Sequence, residues 1–236
     1  MRRKRLAWGA GTSALAVLLL AAAFFAISRA RCFTLVGEIV CRVQTNRPSV
    51  ALSFDDGPDE AGVDAALVAL GSHRLSATFF LTGGAAAQRP DLVRRLVAAN
   101  QEIGNHSYSH QRMVLRSRAF YDAEIERTDA LLRAAGAPPP RLFRPPYAKK
   151  LIGLPLAVRS HGKRMITWDV EDPQDGRRDA RSYADHIVRS ARPGSIILMH
   201  IMYGNRRARE ALPLVISGLE ARGFAIVPVG RLLQEG

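Results

Sequence analysis

Only two cysteines occur in the 236 residues, and only 4 of the 34 basic side chains are lysine, the other 30 being arginine. Two thiols allow at most one intrachain bridge. The arginines are scattered and gather into no stripe with interleaved aromatics, so the net charge of +13 is not the footprint of a nucleic-acid binder. What the charge does support is a weak affinity for anionic lipid or anionic wall polymers. There is no internal repeat, and no low-complexity tract apart from one apolar run. A composition of 47% hydrophobic and 23% charged residues is that of a globular chain, not a disordered one. Once the apolar run is set aside, about 200 residues remain, enough for one domain with one large core.

The apolar run is defined by missing charge. After the basic cluster MRRKR, no charged residue occurs from Leu6 to Ile27. A helix of that length would extend roughly 33 Å, enough to cross a bilayer core of roughly 30 Å. The basic cluster should stay in the cytoplasm, which places the rest outside. The expectation for residues 1–30 is one N-terminal transmembrane helix, a signal anchor in the cell (inner) membrane with an extracytoplasmic or periplasmic catalytic domain. Cleavage at Ser28-Arg29-Ala30, with secretion, is the alternative. Cys32 and Cys41 flank FTLVGEIV, which alternates about Gly37 as a short hairpin would, and an oxidising compartment would bridge them. Residues 31–48 are read as this stem or hairpin, and 49–236 as the folded domain.

In that domain, apolar strand-like runs alternate with helical patterns. The runs are SVALSF from Ser49, ATFFL from Ala77, QEIG from Gln101, RLF from Arg141, RMITW from Arg164, SIILM from Ser195 and FAIVPV from Phe224. Helical spacing opens at Pro90-Asp91, runs from about Arg118 to Ala135, and again from about Arg206 to Arg222, where Pro213 predicts a kink or break. Such alternation predicts an α/β fold, a distorted (β/α) barrel of about seven parallel strands.

The unusual residues fall at strand ends. Asp55 and Asp56 follow SVALSF, His106 follows QEIG, Arg144 follows RLF, Asp169 follows RMITW and His200 follows SIILM. The C-terminal ends of parallel strands are where barrel enzymes assemble their sites. Adjacent carboxylates fixed by a Gly-Pro turn point in different directions, so one can ligate a metal while the other acts as a base. His106 and His110, at i and i+4 in HSYSH, would face one another over one helical turn. With Asp56 they make a set suited to one divalent ion, Zn²⁺ first and Co²⁺ or Ni²⁺ as alternatives, with a position left for water.

In this order the residues resemble the NodB-type polysaccharide deacetylases, carbohydrate esterase family four. The motifs are SFDDGP at Ser53–Pro58, HSYSH at His106–His110, RPPY at Arg144–Tyr147 and LMH at Leu198–His200, and the likeness runs from about Gly37 to Leu233. It implies a glycan substrate, Asp56, His106 and His110 as metal ligands, and Asp55 as general base. It further implies Arg144 as the partner of Asp55, the Tyr147 backbone N–H at the oxyanion, His200 as the acid and Leu198 in the acetyl pocket. The implied reaction is removal of N-acetyl groups from N-acetylglucosamine-type units of an extracytoplasmic polysaccharide. A deacetylase or deformylase of a lipid-linked sugar, or a membrane-anchored glycan-binding pseudoenzyme, are the alternatives.

The fourth motif departs from the family. Asp172-x-x-Asp175 keeps the acidic spacing of Asp-x-x-Asp-Trp, but Gly176 stands where tryptophan is usual. The acid that orients Arg144 stays open among Asp169, Glu171 and Asp175, with Asp175 the candidate carried forward. Trp168, Met202 or Tyr203 would replace the missing wall of the groove, Trp168 being the first choice. After RPPY, Ala148-Lys149-Lys150 adds positive charge at the expected rim.

Overall fold

The computed structural model describes residues 17–173 and 179–236. Residues 17–29 form a helix, α1, whose Val17 to Leu20, Phe24 and Phe25 are exposed. Among the described residues no helix is long and apolar enough to cross a membrane, and residues 6–16 of the expected anchor lie outside them.

Among the described residues the sheet contains nine short strands, against about seven expected, all paired in parallel. They are β1 (Ile39–Val40), β2 (Ser49–Asp55), β3 (Thr78–Leu81), β4 (Glu102–Asn105), β5 (Leu142–Phe143), β6 (Arg164–Ile166), β7 (Val170–Glu171), β8 (Ile196–Met199) and β9 (Ala225–Val227). Their order is β1-β6-β5-β4-β3-β2-β8-β7, with β9 also on β2. The sheet therefore curls without closing: among the described residues no ladder joins β1 to β7, two strands of only two residues each. The stem fills this gap. Thr167 N donates to Val40 O on one edge, and Val43 N donates to Gly194 O on the other. No hairpin forms around Gly37, because β1 takes its partner from β6 and not from residues 33–36. The Cys32–Cys41 disulfide is present, closing the loop with Cα atoms 5.2 Å apart.

Helices α2 (Glu60–Ser72), α3 (Gly83–Gln88), α4 (Pro90–Ala98), α5 (Arg118–Ala134), α6 (Gly153–Ser160), α7 (Ala180–Ser190), α8 (Arg206–Ala221) and α9 (Val229–Leu232) follow the strands. Period-two alternation divides the strands between an outer and an inner layer. Val50, Leu52 and Phe54 of β2, with Phe79, Leu81, Ile197 and Met199, pack under the helices. Ala51 and Ser53 share the opposite parity, and Ala51 lies in the interior with Phe80, Ile166, Ile196 and Leu198. Asp55 has the same parity, which delivers a carboxylate to the inner face at the C-terminal end of β2. Pro213 does not break α8, which is continuous over sixteen residues. Its apolar face (Ala208, Leu212, Val215, Ile216 and Leu219) is buried and outweighs the lost backbone bond.

Candidate active site

Asp55 is almost wholly buried. The backbone then turns sharply through left-handed Asp56 (φ 71°) and Gly57 (φ 72°). Asp59 closes this turn by capping α2 through Gly62 N and by accepting a hydrogen bond from Tyr203 N. The turn sends the two carboxylates apart, as adjacent residues leaving a strand require. Asp55 Oδ1 receives Arg144 Nη1 at 2.6 Å, while Asp56 Oδ1 faces His110 Nε2 at 3.3 Å and His106 Nε2 at 3.8 Å.

The two histidines meet by a different route from the expected helical turn. Residues 106–110 are a loop in which Ser107 (φ 64°) and His110 (φ 55°) are left-handed. Five residues hold it. Asn105 Oδ1 accepts from Ser107 N, and Ser107 Oγ accepts from His110 N. Buried Glu124 of α5 accepts from Tyr108 N, Ser109 N and Ser109 Oγ at 2.8–2.9 Å. Gly83 N and Gly84 N donate to Ser107 O and Tyr108 O. A Cβ on Gly83 would lie 2.5 Å from Thr128 Oγ1 and 2.7 Å from Tyr108 Cδ2, so only glycine admits the approach.

One ligand atom from each of Asp56, His106 and His110 lies within 4.8 Å of the others. His106 Nδ1 bonds Arg144 O at 2.8 Å, which makes Nδ1 the donor and leaves Nε2 with its lone pair toward Asp56. Burial, reinforced by the neighbouring His106, lowers the pKa of His110 and favours the neutral ring a metal needs. The donor set and its outer support fit a small divalent cation.

Arg144 is fully buried at the end of β5, between Phe80 at 4.0 Å and Trp168 at 5.5 Å. Its Nη2 donates to Ser53 Oγ at 3.0 Å and Thr167 O at 3.2 Å, and Nε has no acceptor among the described residues. Burial alone would raise the Asp55 pKa, but the charge of Arg144, with His106 and His200, takes it below the ordinary value. Of the acids expected to orient Arg144, Asp169 and Glu171 are not found on it. Asp169 instead accepts from Ile196 N and Ser195 Oγ, and Glu171 pairs with Arg31 and with the Trp168 indole. Asp175 and Gly176 lie outside the described residues.

His200 directly follows β8, and its Nδ1 meets Asp172 at 3.1–3.2 Å. Burial would lower its pKa, but the hydrogen bond and charge of Asp172, helped by Asp55 and Asp56, push it up to about 9. Asp172 is the site residue that sequence reasoning left without a role, although the Asp-x-x-Asp spacing contains it. Tyr147 is left-handed (φ 58°) in the turn Pro146–Ala148, and its ring stands 4.7 Å from that of His110. Leu198 is buried in the interior beside Trp168, so the indole packs next to Arg144 and does not stand as an open wall. Lys150 is not a rim charge either. It is buried, with its backbone N on Ser28 O and its Nζ on Ala30 O.

A buried carboxylate–arginine pair, an Asp-His-His triad and a histidine paired with an aspartate at the strand ends of a curled parallel sheet define a hydrolase-type centre. Residues 42–166 match the family model for polysaccharide deacetylase. The chain is 36% identical over 200 residues to a chitooligosaccharide deacetylase of Sinorhizobium fredii, spanning 79% of this chain and 93% of that one. Among solved structures it is similar to a peptidoglycan N-acetylglucosamine deacetylase (TM-score 0.79, 28% identity, 84% of this chain and 94% of that one). It is also similar to a CE4 family pseudoenzyme from Bacillus anthracis (TM-score 0.78, 27% identity, 85% and 70%). The chain belongs to the NodB-type polysaccharide deacetylases, carbohydrate esterase family four, and its relatives support polysaccharide deacetylase activity.

Proposed function

We propose that this protein is a metal-dependent hydrolase that removes N-acetyl groups from N-acetylglucosamine-type units of an extracytoplasmic polysaccharide: peptidoglycan, a chitin-like oligomer or an exopolysaccharide. The observation that carries the reading is Asp55, buried and paired with Arg144, beside the Asp56-His106-His110 set. When bound there, a Zn²⁺-type ion would supply Lewis acidity to an amide carbonyl and acidify a water. Asp55 takes the proton of the attacking water, and Arg144 keeps it ionised to do so. The Tyr147 N–H donates to the developing oxyanion. His200, held protonated by Asp172, passes its proton to the leaving nitrogen. Leu198 limits the acyl pocket to small groups. All the reactive side chains are present, which argues against a pseudoenzyme.

The exposed apolar face of α1, continuous with the uncharged run before it, supports an uncleaved anchor and hence a single-pass protein of the cell (inner) membrane. It also favours, as a second reading, a deacetylase or deformylase of a lipid-linked sugar. The test uses the full chain in detergent, loaded with Zn²⁺ or Co²⁺, and measures acetate and formate release across glycans and lipid-linked sugars. Acetate from N-acetylglucosamine glycans is expected, and a fully active Asp55→Ala protein would overturn the mechanism. Stoichiometric metal surviving both Asp56→Ala and His106→Ala would remove the metal site.

A further inference from the structure

Arg144 is fully buried, and one of the contacts that fix its guanidinium leads back to the stem. Arg144 Nη2 donates to Thr167 O. Thr167 is in turn held twice by the stem: its N donates to Val40 O at 2.9 Å and its Oγ1 to Arg31 O at 2.6 Å. The Cys32–Cys41 bridge closes the loop between the residues that carry these two carbonyls, and both reach Thr167. A second set of contacts holds the turn that carries Tyr147. Lys150 N donates to Ser28 O at 2.9 Å, Lys150 Nζ to Ala30 O, and Lys149 Nζ lies 4.2 Å from the Phe25 ring. Burial pushes the Lys150 pKa down to about 8, and the acceptor its Nζ reaches is a stem carbonyl, Ala30 O.

We propose that the segment from Ser28 to Val40 is a working part of the hydrolase: through Thr167 it sets Arg144, and through Lys150 it sets the turn that carries Tyr147. The stem is then more than a tether. Cleavage after Ala30 would cut it at the contact that holds Lys150. Thr167 and Lys150 are positioning residues, since neither touches the reacting atoms. The inference rests on the deacetylase reading for its kinetic consequences and on the contacts alone for its structural ones.

The test uses the full zinc-loaded chain in detergent with a chitin oligosaccharide as substrate. Thr167→Val and Lys150→Met should each lower kcat about five-fold, the weight of one hydrogen bond, with KM and bound zinc unchanged. Thr167→Ser keeps the hydroxyl and should restore kcat. Unchanged kcat in both variants, or equal damage from Thr167→Ser and Thr167→Val, overturns the proposal. Should a variant fail to fold, a protease site inserted after Ala30 and cut in the folded protein gives the same comparison. Cutting should lower kcat and speed hydrogen exchange at residues 147–151 with zinc retained, and an unchanged kcat or exchange rate refutes the role. If the intact enzyme releases acetate from no glycan, the deacetylase reading fails. The exchange comparison alone then decides the stem's role.

Discussion

Asp172→Asn isolates the contact that sets the proposed acid. The carboxylate lies 3.1–3.2 Å from His200 Nδ1 and is the leading cause of the imidazole's rise to about 9 from an ordinary 6.5. Asparagine keeps the shape but removes the anion that favours the charged ring, so the pKa must fall, toward 6.5 or below because burial acts in that direction. At pH 8 a group titrating at 9 is roughly nine-tenths protonated, and one titrating at 6.5 roughly 3% protonated, a deficit of about thirty-fold. At pH 6 the same two groups differ by only about 1.3-fold. About two-fifths of the imidazole is open to solvent, which screens the pair, so a shift of about one unit already meets the expectation. The assay is kcat/KM for acetate release from pH 5 to 10. The alkaline limb should move down while the acid-side plateau is kept. A uniform loss at every pH, with the limb in place, would refute Asp172 as the group that keeps His200 charged.

Arg144→Met leaves Asp55 buried without a cation and should cost about 3–5 kcal/mol in urea unfolding at neutral pH. Because the fold lowers the Asp55 pKa, that stabilisation is complete above 3.8 and fades as acid passes through the lowered value, so the gap from wild type should narrow as the pH falls below 3.8. Glu124→Ala removes three hydrogen bonds from the 106–110 loop and should weaken zinc binding about ten- to hundred-fold in calorimetry. Gly83→Ala forces a methyl against Thr128 and Tyr108 and should cost about 1–3 kcal/mol in thermal unfolding, with zinc affinity falling alongside.

The carboxylates and histidines could be read from the sequence because each stands where a parallel strand ends, and strand periodicity is local information. The barrel could be read only in part. β1 and β7 are too short to signal themselves, and whether a curled sheet closes depends on what its two edge strands meet. HSYSH looked like a helical turn because i and i+4 spacing is the same in a helix and in a tight loop. The loop was chosen by Glu124 and by Gly83, which are distant in sequence and carry no motif. Lys149 and Lys150 looked like surface charge because nothing in their own segment shows that Ser28 and Ala30 come back to meet them. Asp169 and Glu171 looked available to Arg144 because nothing in their own segment shows that Ile196, Ser195 and Arg31 come to meet them; Asp175 lies outside the described residues.

β2 is bonded to β3, β8 and β9 at once, which makes it the strand that can open only when most of the sheet opens with it. Asp55 ends that strand and Asp56 follows it, so the proposed base and one proposed metal ligand should share the slowest opening step of the sheet. Tyr147 belongs to a three-residue turn secured by two stem carbonyls, at the other extreme of local stability. On warming, the enzyme should therefore fail from the stem inward, losing turnover while the strand that carries its carboxylates is still closed.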